Sequence, residues 1–457
     1  IPHQDTVLGF EDLGCKRIKP IFADKAMTFM VRGVRKKFKQ PVAFMFTNST
    51  IKTPELVVSI KQVVEAVQST GLKVVALVCD QASTNVSAIN KLRAETNAKY
   101  LRLGQENRLF GFEIDNQEII PLFDPPHMLK CLRNNLLTKN LKFICKDKVQ
   151  RVAKWSHITQ LYELDKSESV IGDRMNPKLS DAHIYEDKMK KMKVSHAAQV
   201  FSQRVGSIMK VLASWPGDST KCQLDSSAVD TAVLCLFVDK LFDSVNGGTI
   251  SPPIGKDLRC AVTRSSGHWT FWDEAICVLQ SMEFVCKQNK VVSIKNWIQT
   301  IKGFKYLCKK LLDDGFDFIL LRNFNQDPIE NFFCSIRSHG IRNINPTCAG
   351  FISSFKSLLI SNLTTKNSVG ANCEEDNCDG VLSSLKDLLL LDEYETVEEE
   401  EEHISKLLQN LHFTNPQTQN LPSSFVLNNT RSFVTGWIVK KIKPLVKNCK
   451  MCITKLT

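Results

Sequence analysis

The residues best suited to chemistry are a few carboxylates at the ends of apolar segments. Asp327 and Glu330 lie three residues apart in the segment 325–334, where an aromatic-rich helix is predicted to begin. A third carboxylate, Asp80, follows the apolar run 71–79. Carboxylates that converge from separate elements can hold magnesium ions, because hard divalent cations prefer oxygen ligands and can clamp the attacking and leaving oxygens of a phosphoryl transfer. Asp80 and Glu330 are therefore candidate metal ligands for phosphoryl transfer on nucleic acid.

Each of these carboxylates also has a purely structural interpretation. Asp327 precedes a proline and Glu330 follows three residues later, which is the pattern of a capping box at a helix start. Asp80 can cap the next predicted helix, 83–92. Asp124 precedes two prolines and carries a complete helix-start signal, so N-capping is favoured there. Spacing alone favours capping at Asp327 and Glu330, and it leaves both roles open for Asp80.

The elements that must position these residues follow from hydrophobic periodicity. The β-rich runs 25–34 and 41–46 predict a hairpin, and apolar residues at helical spacing predict a helix from Thr53 to about residue 70. The continuous apolar run 74–78 predicts a strand covered on both faces, with Asp80 at its carboxyl end. Residues 119–123 predict another strand that leads to Asp124. Ligands gather at the carboxyl ends of strands in α/β sheets.

The chain changes character after residue 136. Long helical patterns, 181–214 and 227–245, replace the alternation of strands and turns, and the aromatic residues of 269–272 are best explained as core. Just before this region, His127, Lys130 and Arg133 share one predicted helix face. These side chains could bind phosphate, or they could have no specific role. Asp80 and Glu330 lie 250 residues apart, a separation that an RNase H fold with an inserted helical domain would reconcile.

Length and charge narrow the class of protein. A chain of 457 residues predicts two or three domains. Its net charge of +12 includes eight acidic residues between 392 and 402, so the rest of the chain carries an even larger positive charge. That excess favours a polyanionic partner, although it also serves solubility.

The 16 cysteines are scattered, which favours reduced intracellular thiols over disulfides. Cys449 and Cys452 have metal-ligand spacing, and Cys373 and Cys378 could join them, but free thiols are the favoured interpretation. No apolar run is long enough for a membrane span. The first residue is Ile rather than Met, so the chain is expected to be a fragment.

The chain resembles the P element transposase family, which includes the transposase-like part of the THAP-domain proteins. The resemblance covers most of the chain and rests on motifs in a fixed order: Val31-Arg-Gly33 with Lys39-Gln-Pro-Val42, residues 74–80, Asp124-Pro-Pro-His127-Met-Leu-Lys130 with Arg133-Asn134, and residues 325–333. Residues 433–441 resemble a weaker C-terminal motif. Four ordered motifs at plausible spacing are a specific signal.

The resemblance implies a cut-and-paste DNA transposase with an α/β RNase H-like core that is interrupted by a large, mainly α-helical insertion domain. It implies Mg²⁺ at an Asp, Asp and Glu site, GTP as a cofactor, DNA as the partner, a nuclear location and a homo-oligomer in the full-length protein. Asp80 matches the second acid and Glu330 the third, so both are expected to be catalytic and metal-binding. The first acid has no match and is expected upstream of Ile1, as is the THAP finger.

The GTP site implied by the resemblance differs from a P-loop. No GxxxxGK[ST] motif is present, because Gly255-Lys256 lacks the preceding glycine and the following Ser or Thr. The family's nucleotide contacts match seven positions here: Lys193, Val194, Ser202, Phe242, Asp243, Asn246 and Asp327. Lysine can meet phosphate, an aromatic ring can stack on the base, and a carboxylate can accept hydrogen bonds from guanine.

The predicted domains are an RNase H-like first part, 1–136; a helical GTP-binding insertion, 137–315; the C-terminal part of the core with the acidic helix, 316–365; an acidic flexible linker, 366–420; and a C-terminal segment with the CxxC pair, 421–457. Three functions remain open. One is an active DNA transposase, and another is a catalytically inactive, domesticated protein that binds DNA and GTP. In the third, the insertion domain serves chiefly as a protein-interaction module.

Overall fold

The computed structural model describes residues 9–14, 19–36, 38–167, 174–214, 224–285, 291–339 and 344–362. The predictions for 366–420 and 421–457 lie outside these residues. The strands are β1 (Phe10–Glu11), β2 (Lys19–Phe22), β3 (Lys25–Arg32), β4 (Lys39–Thr47), β5 (Ala76–Cys79), β6 (Phe112–Ile114), β7 (Gln117–Phe123), β8 (Asn140–Ile144), β9 (Gln150–Ala153) and β10 (Glu283–Val285).

The helices are α1 (Thr53–Gln68), α2 (Ser83–Arg102), α3 (Pro125–Leu136), α4 (Trp155–Ser167), α5 (Asp181–Ile184), α6 (Val194–Val200), α7 (Gln203–Ser214), α8 (Ala228–Val245), α9 (His268–Ser281), α10 (Ser293–Asp313), α11 (Asp327–Ser338) and α12 (Cys348–Asn362). A 3₁₀ turn covers Leu321–Phe324. Among the described residues, no helix has the length and apolar character needed to cross a membrane.

The predicted hairpin 25–46 is confirmed as the antiparallel pair β3–β4, in which Lys25 lies opposite Thr47. Aromatic residues pack this hairpin against helices α11 and α12. Phe44 and Phe46 of β4 contact Phe351 of α12, and Phe332 of α11 joins the same buried cluster. Because aromatic side chains bury large apolar areas, this cluster holds the helix that carries Glu330 against the amino-terminal part of the chain.

The central sheet has the order β5-β7-β6, with β5 parallel to β7 and β6 antiparallel to β7. Alternate residues of β7 face opposite sides. Ile119 belongs to the cluster formed with α1 and α2, whereas Ile120 and Leu122 belong to the main core with α10. Helix α10 approaches β7 so closely that a Cβ at Gly303 would lie 2.8 Å from Cδ2 of Leu122. The sheet is thus covered by helices on both sides.

The prediction that the strand at 74–78 is covered on both faces is confirmed, because Val74 and Leu77 pack against the cluster with α1 and α2, whereas Val75, Ala76 and Val78 pack against the main core. Strand β5 itself begins at Ala76, and all residues from 74 to 80 are nevertheless only half-buried. The reason is a cavity of about 940 Å³ that lies between β3 and β5. Within the described residues, β3 pairs with β4 alone and β5 with β7 alone, so the two strands face the cavity with unpaired edges.

The region between α3 and α10 is mainly helical, as predicted, with a small sheet of order β10-β8-β9. Helix α8 matches the predicted helix 227–245. The aromatic residues of 269–272 include fully buried Trp272, which confirms a core role there.

The predicted helix 181–214 is wrong, because the segment forms α5, α6 and α7 instead. Extended backbone at Tyr185 ends α5, with φ −88° and ψ 130°. Buried Arg133 then donates a hydrogen bond to the backbone carbonyl of Lys191 at 2.7 Å and so fixes the turn before α6. The apolar residues of this segment do recur at helical spacing, but the contact between Arg133 and Lys191 helps to determine where the helix is interrupted.

Glu118 at the start of β7 fastens α10 to the β6–β7 hairpin. Its Oε1 accepts hydrogen bonds from the backbone N–H groups of Phe110 and Gly111, and its Oε2 accepts from Tyr306 and Lys310. Burial would raise the pKa of this carboxyl, but the bonds from Lys310 and Gly111 outweigh it, so the pKa lies below its ordinary value of 4.5. A depressed pKa means that ionised Glu118 stabilises the fold above pH 4.5, and that this stabilisation is lost as the pH falls through the lowered pKa.

We expect Glu118→Gln to reduce the free energy of unfolding at neutral pH by about 2 kcal/mol, because hydrogen bonds to a buried charged group are lost. Urea denaturation at several pH values measures this. The difference between wild type and variant should shrink in acid, where wild-type Glu118 is protonated. Glu95→Gln is the control, because Glu95 forms an exposed pair with Lys61 and its loss should cost less than about 1 kcal/mol. A difference that stays constant down to acid pH would contradict the assignment.

Candidate active site at the carboxyl edge of the sheet

Two aspartates follow neighbouring parallel strands. Cys79 and Phe123 are register partners at the ends of β5 and β7, so Asp80 and Asp124 leave the sheet at the same edge. The backbone N–H of Asp124 also donates to the carbonyl of Cys79 at 2.9 Å. Burial raises the pKa of the Cys79 thiol, and both aspartates raise it further, as expected for negative charges close to it. The strand ends therefore gather negative charge at one edge.

Asp124 is almost completely buried and connects three segments. Its Oδ2 accepts a hydrogen bond from the backbone N–H of His127 at 2.9 Å, which confirms the predicted N-cap of α3. Its Oδ1 accepts from the backbone N–H of Gln326 at 2.7 Å. A single carboxylate thus starts α3 and also holds the segment that leads into α11. This second bond is one of the contacts that hold residues 325–330 at the edge of the sheet.

His127 joins Asp124 to Glu330. Its Nδ1 lies 2.6 Å from Oδ2 of Asp124, and its Nε2 lies 3.1 Å from Oε1 of Glu330. Burial lowers the pKa of the imidazole, but Asp124 and Glu330 outweigh burial and the net pKa is raised above 6.5. The side chain of Glu330 is 30% exposed. Glu330 therefore stands at the rim of the edge, where solvent or a ligand can reach it.

Asp80 is half-buried and bonded to the start of the next helix. Its Oδ1 accepts hydrogen bonds from the backbone N–H of Ala82 at 2.9 Å and from the amide of Asn85 at 2.7 Å. The N-cap position of α2 is nevertheless Ala82, so Asp80 does not cap that helix as the alternative interpretation expected. Its position at the strand end is compatible with both a local turn and ligand binding.

The predicted capping box at Asp327 and Glu330 is not formed. The helix begins at Asp327, its N-cap is Gln326, and Gln326 makes no side-chain capping bond. Asp327 is buried and accepts a hydrogen bond from the amide of Asn325 at 2.7 Å. Glu330 is therefore not the partner in a capping box, and its carboxylate lies beside His127 at the edge of the sheet.

Arg32 at the end of β3 holds the segment before α11 in place. Its guanidinium donates to the carbonyl of Arg322 and to the side chains of Asn323 and Asn325. The arginine belongs to the Val31-Arg-Gly33 motif, but nothing in the spacing indicated a partner 290 residues away. Lys130 and Arg133, by contrast, are buried, so the face that they share with His127 is not an exposed phosphate-binding stripe.

The oxygen donors at this edge are the kind that Mg²⁺ prefers. In the described part of the chain, however, no three His, Cys, Asp or Glu side chains are grouped closely enough to hold a metal ion. Asp80 bonds to Asn85 and Glu330 bonds to His127. The residues therefore fit magnesium in their chemistry, but they supply only part of a ligand set.

Three predicted nucleotide contacts lie around α6. Lys193 is the N-cap residue of this helix, Val194 is its first residue, and Ser202 lies between α6 and α7. Lys193 and Val194 are half-exposed, so a ligand can reach them. The Oγ of Ser202 accepts a hydrogen bond from the backbone N–H of Val205 at 3.3 Å, which places this hydroxyl at the start of α7.

The other contacts predicted in the helical region lie at the end of α8. Phe242 is half-buried, whereas Asp243 and Asn246 are buried. Burial raises the pKa of Asp243, although its Oδ2 lies 2.9 Å from Nζ of Lys256. Helix α3 packs against both α6 and α8, so the two groups flank one helix. The backbone N–H of Arg322 donates to the carbonyl of Gly247 at 3.1 Å, which joins the end of α8 to the segment before Asp327.

Three family models match this chain and together cover more than half of it. They are the TNP-like RNase H N-terminal domain over residues 1–93, the TNP-like GTP-binding insertion domain over residues 126–253, and the TNP-like RNase H C-terminal domain over residues 323–356. The transposable element P transposase of Drosophila melanogaster is 26% identical over 79% of this chain and 44% of that protein. This chain belongs to the P element transposase family.

Other relatives of this P element family member agree. The DNA transposase THAP9 of Homo sapiens is 20% identical over 78% of this chain and 38% of that protein. The chain thus spans less than half the length of these two curated relatives. The solved structure of the Drosophila P element transposase strand transfer complex is similar, with a TM-score of 0.62 and 22% identity over 78% of this chain and 75% of that chain. An α/β RNase H-like core interrupted by a mainly helical GTP-binding insertion domain is therefore confirmed.

Proposed function

We propose that this chain is the catalytic and GTP-binding part of a DNA transposase that cuts and joins DNA by magnesium-dependent phosphoryl transfer. The observation that carries the proposal is that Asp80 and Asp124 leave the sheet at one edge, where Asp124 and His127 contact the segment that carries Glu330. These residues come from two strand ends and from the start of a helix more than 200 residues away. Local stability does not require carboxylates from such distant segments to meet.

In this proposal Asp80 and Glu330 hold the metal and are the catalytic acids of the chain. When bound there, magnesium would neutralise charge on the reacting phosphodiester and orient its oxygens. Asp124 positions the segment before α11 through the backbone of Gln326, and His127 orients the carboxylate of Glu330. In this proposal these residues determine where the metal ion and a DNA phosphate would bind.

GTP is proposed to bind the insertion domain as a cofactor. Lys193 would meet the phosphates, Phe242 would stack on the base, and Asp243 would accept hydrogen bonds from guanine. The remaining contacts would come from Val194, Ser202, Asn246 and Asp327. The bond between Arg322 and Gly247 supports this grouping, because it joins the end of α8 to the segment that carries Asp327. The insertion domain is proposed to span residues 137–315, between core segments 1–136 and 316–365.

Genomic DNA as the substrate implies action in the nucleus. We propose that the full-length protein works there as a homo-oligomer. The whole protein would contact DNA mainly through backbone phosphates, because the positive charge of the chain favours a polyanion.

A second candidate function is a catalytically inactive protein that binds DNA and GTP. Two observations favour it: the described residues contain no three-ligand metal cluster, and both candidate acids bond to neighbouring side chains. The two candidates differ in cleavage and not in binding. GTP binding to the purified chain, measured by calorimetry, is expected for both. Magnesium-dependent cleavage of labelled duplex by a protein that contains this chain is expected only for the first, and absence of both GTP and DNA binding would contradict both.

A further inference from the structure

A groove of about 390 Å³ separates α2 from α10. Four residues of α10 line it at positions i, i+3, i+4 and i+7, which are successive points of one helix face: Lys295, Ile298, Gln299 and Lys302. Arg93 and Asn97 line it from α2. The facing stripes of two neighbouring helices are usually apolar, because they pack together. Here three of the four positions on α10 are polar, so the stripe is not built for helix packing.

The charge of this basic groove, the groove lined by Arg93, Lys295 and Lys302, has one sign. No Asp or Glu is among the residues that line it. In the described part of the chain, Lys295 and Lys302 form no salt bridge, and both are exposed. Arg93 lies over the ring of Phe110 and donates to its backbone carbonyl, not to a carboxylate. Three uncompensated cations on one small surface favour an anionic ligand.

Two donors in the groove lack acceptors. Nε of Arg93 and Nε2 of Gln299 are shielded from solvent and have no hydrogen-bond partner among the described residues. A buried donor without a partner costs about 1–3 kcal/mol, so each such group calls for an explanation, and an acceptor that enters the groove is one. An oxyanion supplies acceptors and negative charge together. The single sign of its charge makes the groove complementary to a phosphate group and not to a cation.

One lining residue of the groove, Lys295, lies next in sequence to a contact with the segment that follows Asp80. Asn296, next to Lys295, donates from its amide to Oε1 of Gln81 at 3.1 Å, and Gln81 directly follows Asp80. Lys295 and Lys302 are two helical turns apart, or about 10 Å along α10. Phosphates recur about every 3.4 Å along one strand of DNA, so about three of them match that length. We infer that the basic groove binds a stretch of DNA backbone and guides it to the edge that carries Asp80, an inference that rests on the proposed transposase function.

Binding of the purified chain to a random-sequence DNA duplex, measured over a range of salt concentrations, tests this inference. The double variant Lys295→Gln with Lys302→Gln should weaken binding on the order of tenfold and reduce the slope of log K against log salt by about 2, because two phosphate contacts are lost. The control is Lys91→Gln with Lys309→Gln, which removes equal charge from exposed positions of the same helices outside the groove. The control should keep the wild-type slope.

The variant Gln299→Leu tests the groove independently of its charge. It removes an unpartnered donor without changing net charge, so it should weaken DNA binding several-fold while leaving the salt slope unchanged. Equal losses in the groove variant and its control would overturn the inference, as would wild-type DNA affinity in the groove variant. Loss of inorganic phosphate binding with unchanged DNA binding would make the groove a free-anion site and also overturn it. Failure of the wild-type chain to bind DNA would instead count against the proposed function.

Discussion

Glu330→Ala is expected to abolish magnesium-dependent DNA cleavage, with a loss on the order of a thousandfold or more, in a protein that contains this chain and cleaves DNA. A hard metal needs its carboxylate ligand, and alanine supplies none. Because the side chain of Glu330 is 30% exposed and lies at the rim of the fold beside His127, the variant should still fold and bind GTP. Cleavage of an end-labelled duplex, with circular dichroism and GTP titration on the same sample, measures all three properties.

Asp273→Ala is the matched control for the loss of one acid. Asp273 lies on α9 and forms an exposed pair with Lys305. It is distant in sequence from the strand ends at Asp80 and Asp124, and its pair partner lies on α10 and not at those strand ends. This control should cleave DNA at the wild-type rate. Cleavage that persists in Glu330→Ala would remove this residue from the catalytic assignment. Loss of both cleavage and folding in Glu330→Ala would show a structural role.

Asp243→Ala is expected to weaken GTP binding about 10- to 100-fold and ATP binding much less. The physical reason is that a buried carboxylate can accept hydrogen bonds from the ring N–H and the amino group of guanine, and each charge-assisted bond contributes about 1.5–3 kcal/mol. Adenine lacks this donor pair. Calorimetric titration of the purified chain with each nucleotide gives the ratio directly.

Asp239→Asn is the matched control for Asp243. Both aspartates lie on α8, four residues apart, and both contact Lys256. Only Asp243 is proposed to read guanine, so Asp239→Asn should keep the preference for GTP over ATP. If Asp243→Ala weakened both nucleotides equally, the carboxylate would be holding Lys256 and not recognising the base.

Helix α3 connects the two proposed sites. At its amino-terminal end, Asp124 and His127 hold Gln326 and Glu330 at the edge of the sheet. Two turns further on, Arg133 holds the turn before Lys193. Helix α3 therefore contacts the surroundings of both proposed sites.

Much of the local structure was predictable from the sequence. The hairpin β3–β4, the cap of α3 at Asp124 and helix α8 each depend on neighbouring residues: alternation, an acid before two prolines, and an unbroken apolar pattern. The family was predictable for a related reason. Its motifs are short segments whose residue types can be recognised without knowledge of the fold, and the family models confirm the resemblance.

Only the tertiary structure decided which distant residues meet. Three contacts could not be predicted from periodicity, because each joins segments about 200 or more residues apart. They are the bond from Gln326 to Asp124, the contact of His127 with Glu330, and the hydrogen bonds of Arg32 to residues 322–325. The same reason explains the errors. The apolar run before Asp80 did not indicate the cavity beside β5, and the pattern 181–214 predicted one helix. A hydrophobic residue type indicates that the side chain is buried from water. Which neighbours cover that side chain, and whether a cavity lies beside it, depends on the packing of the whole chain.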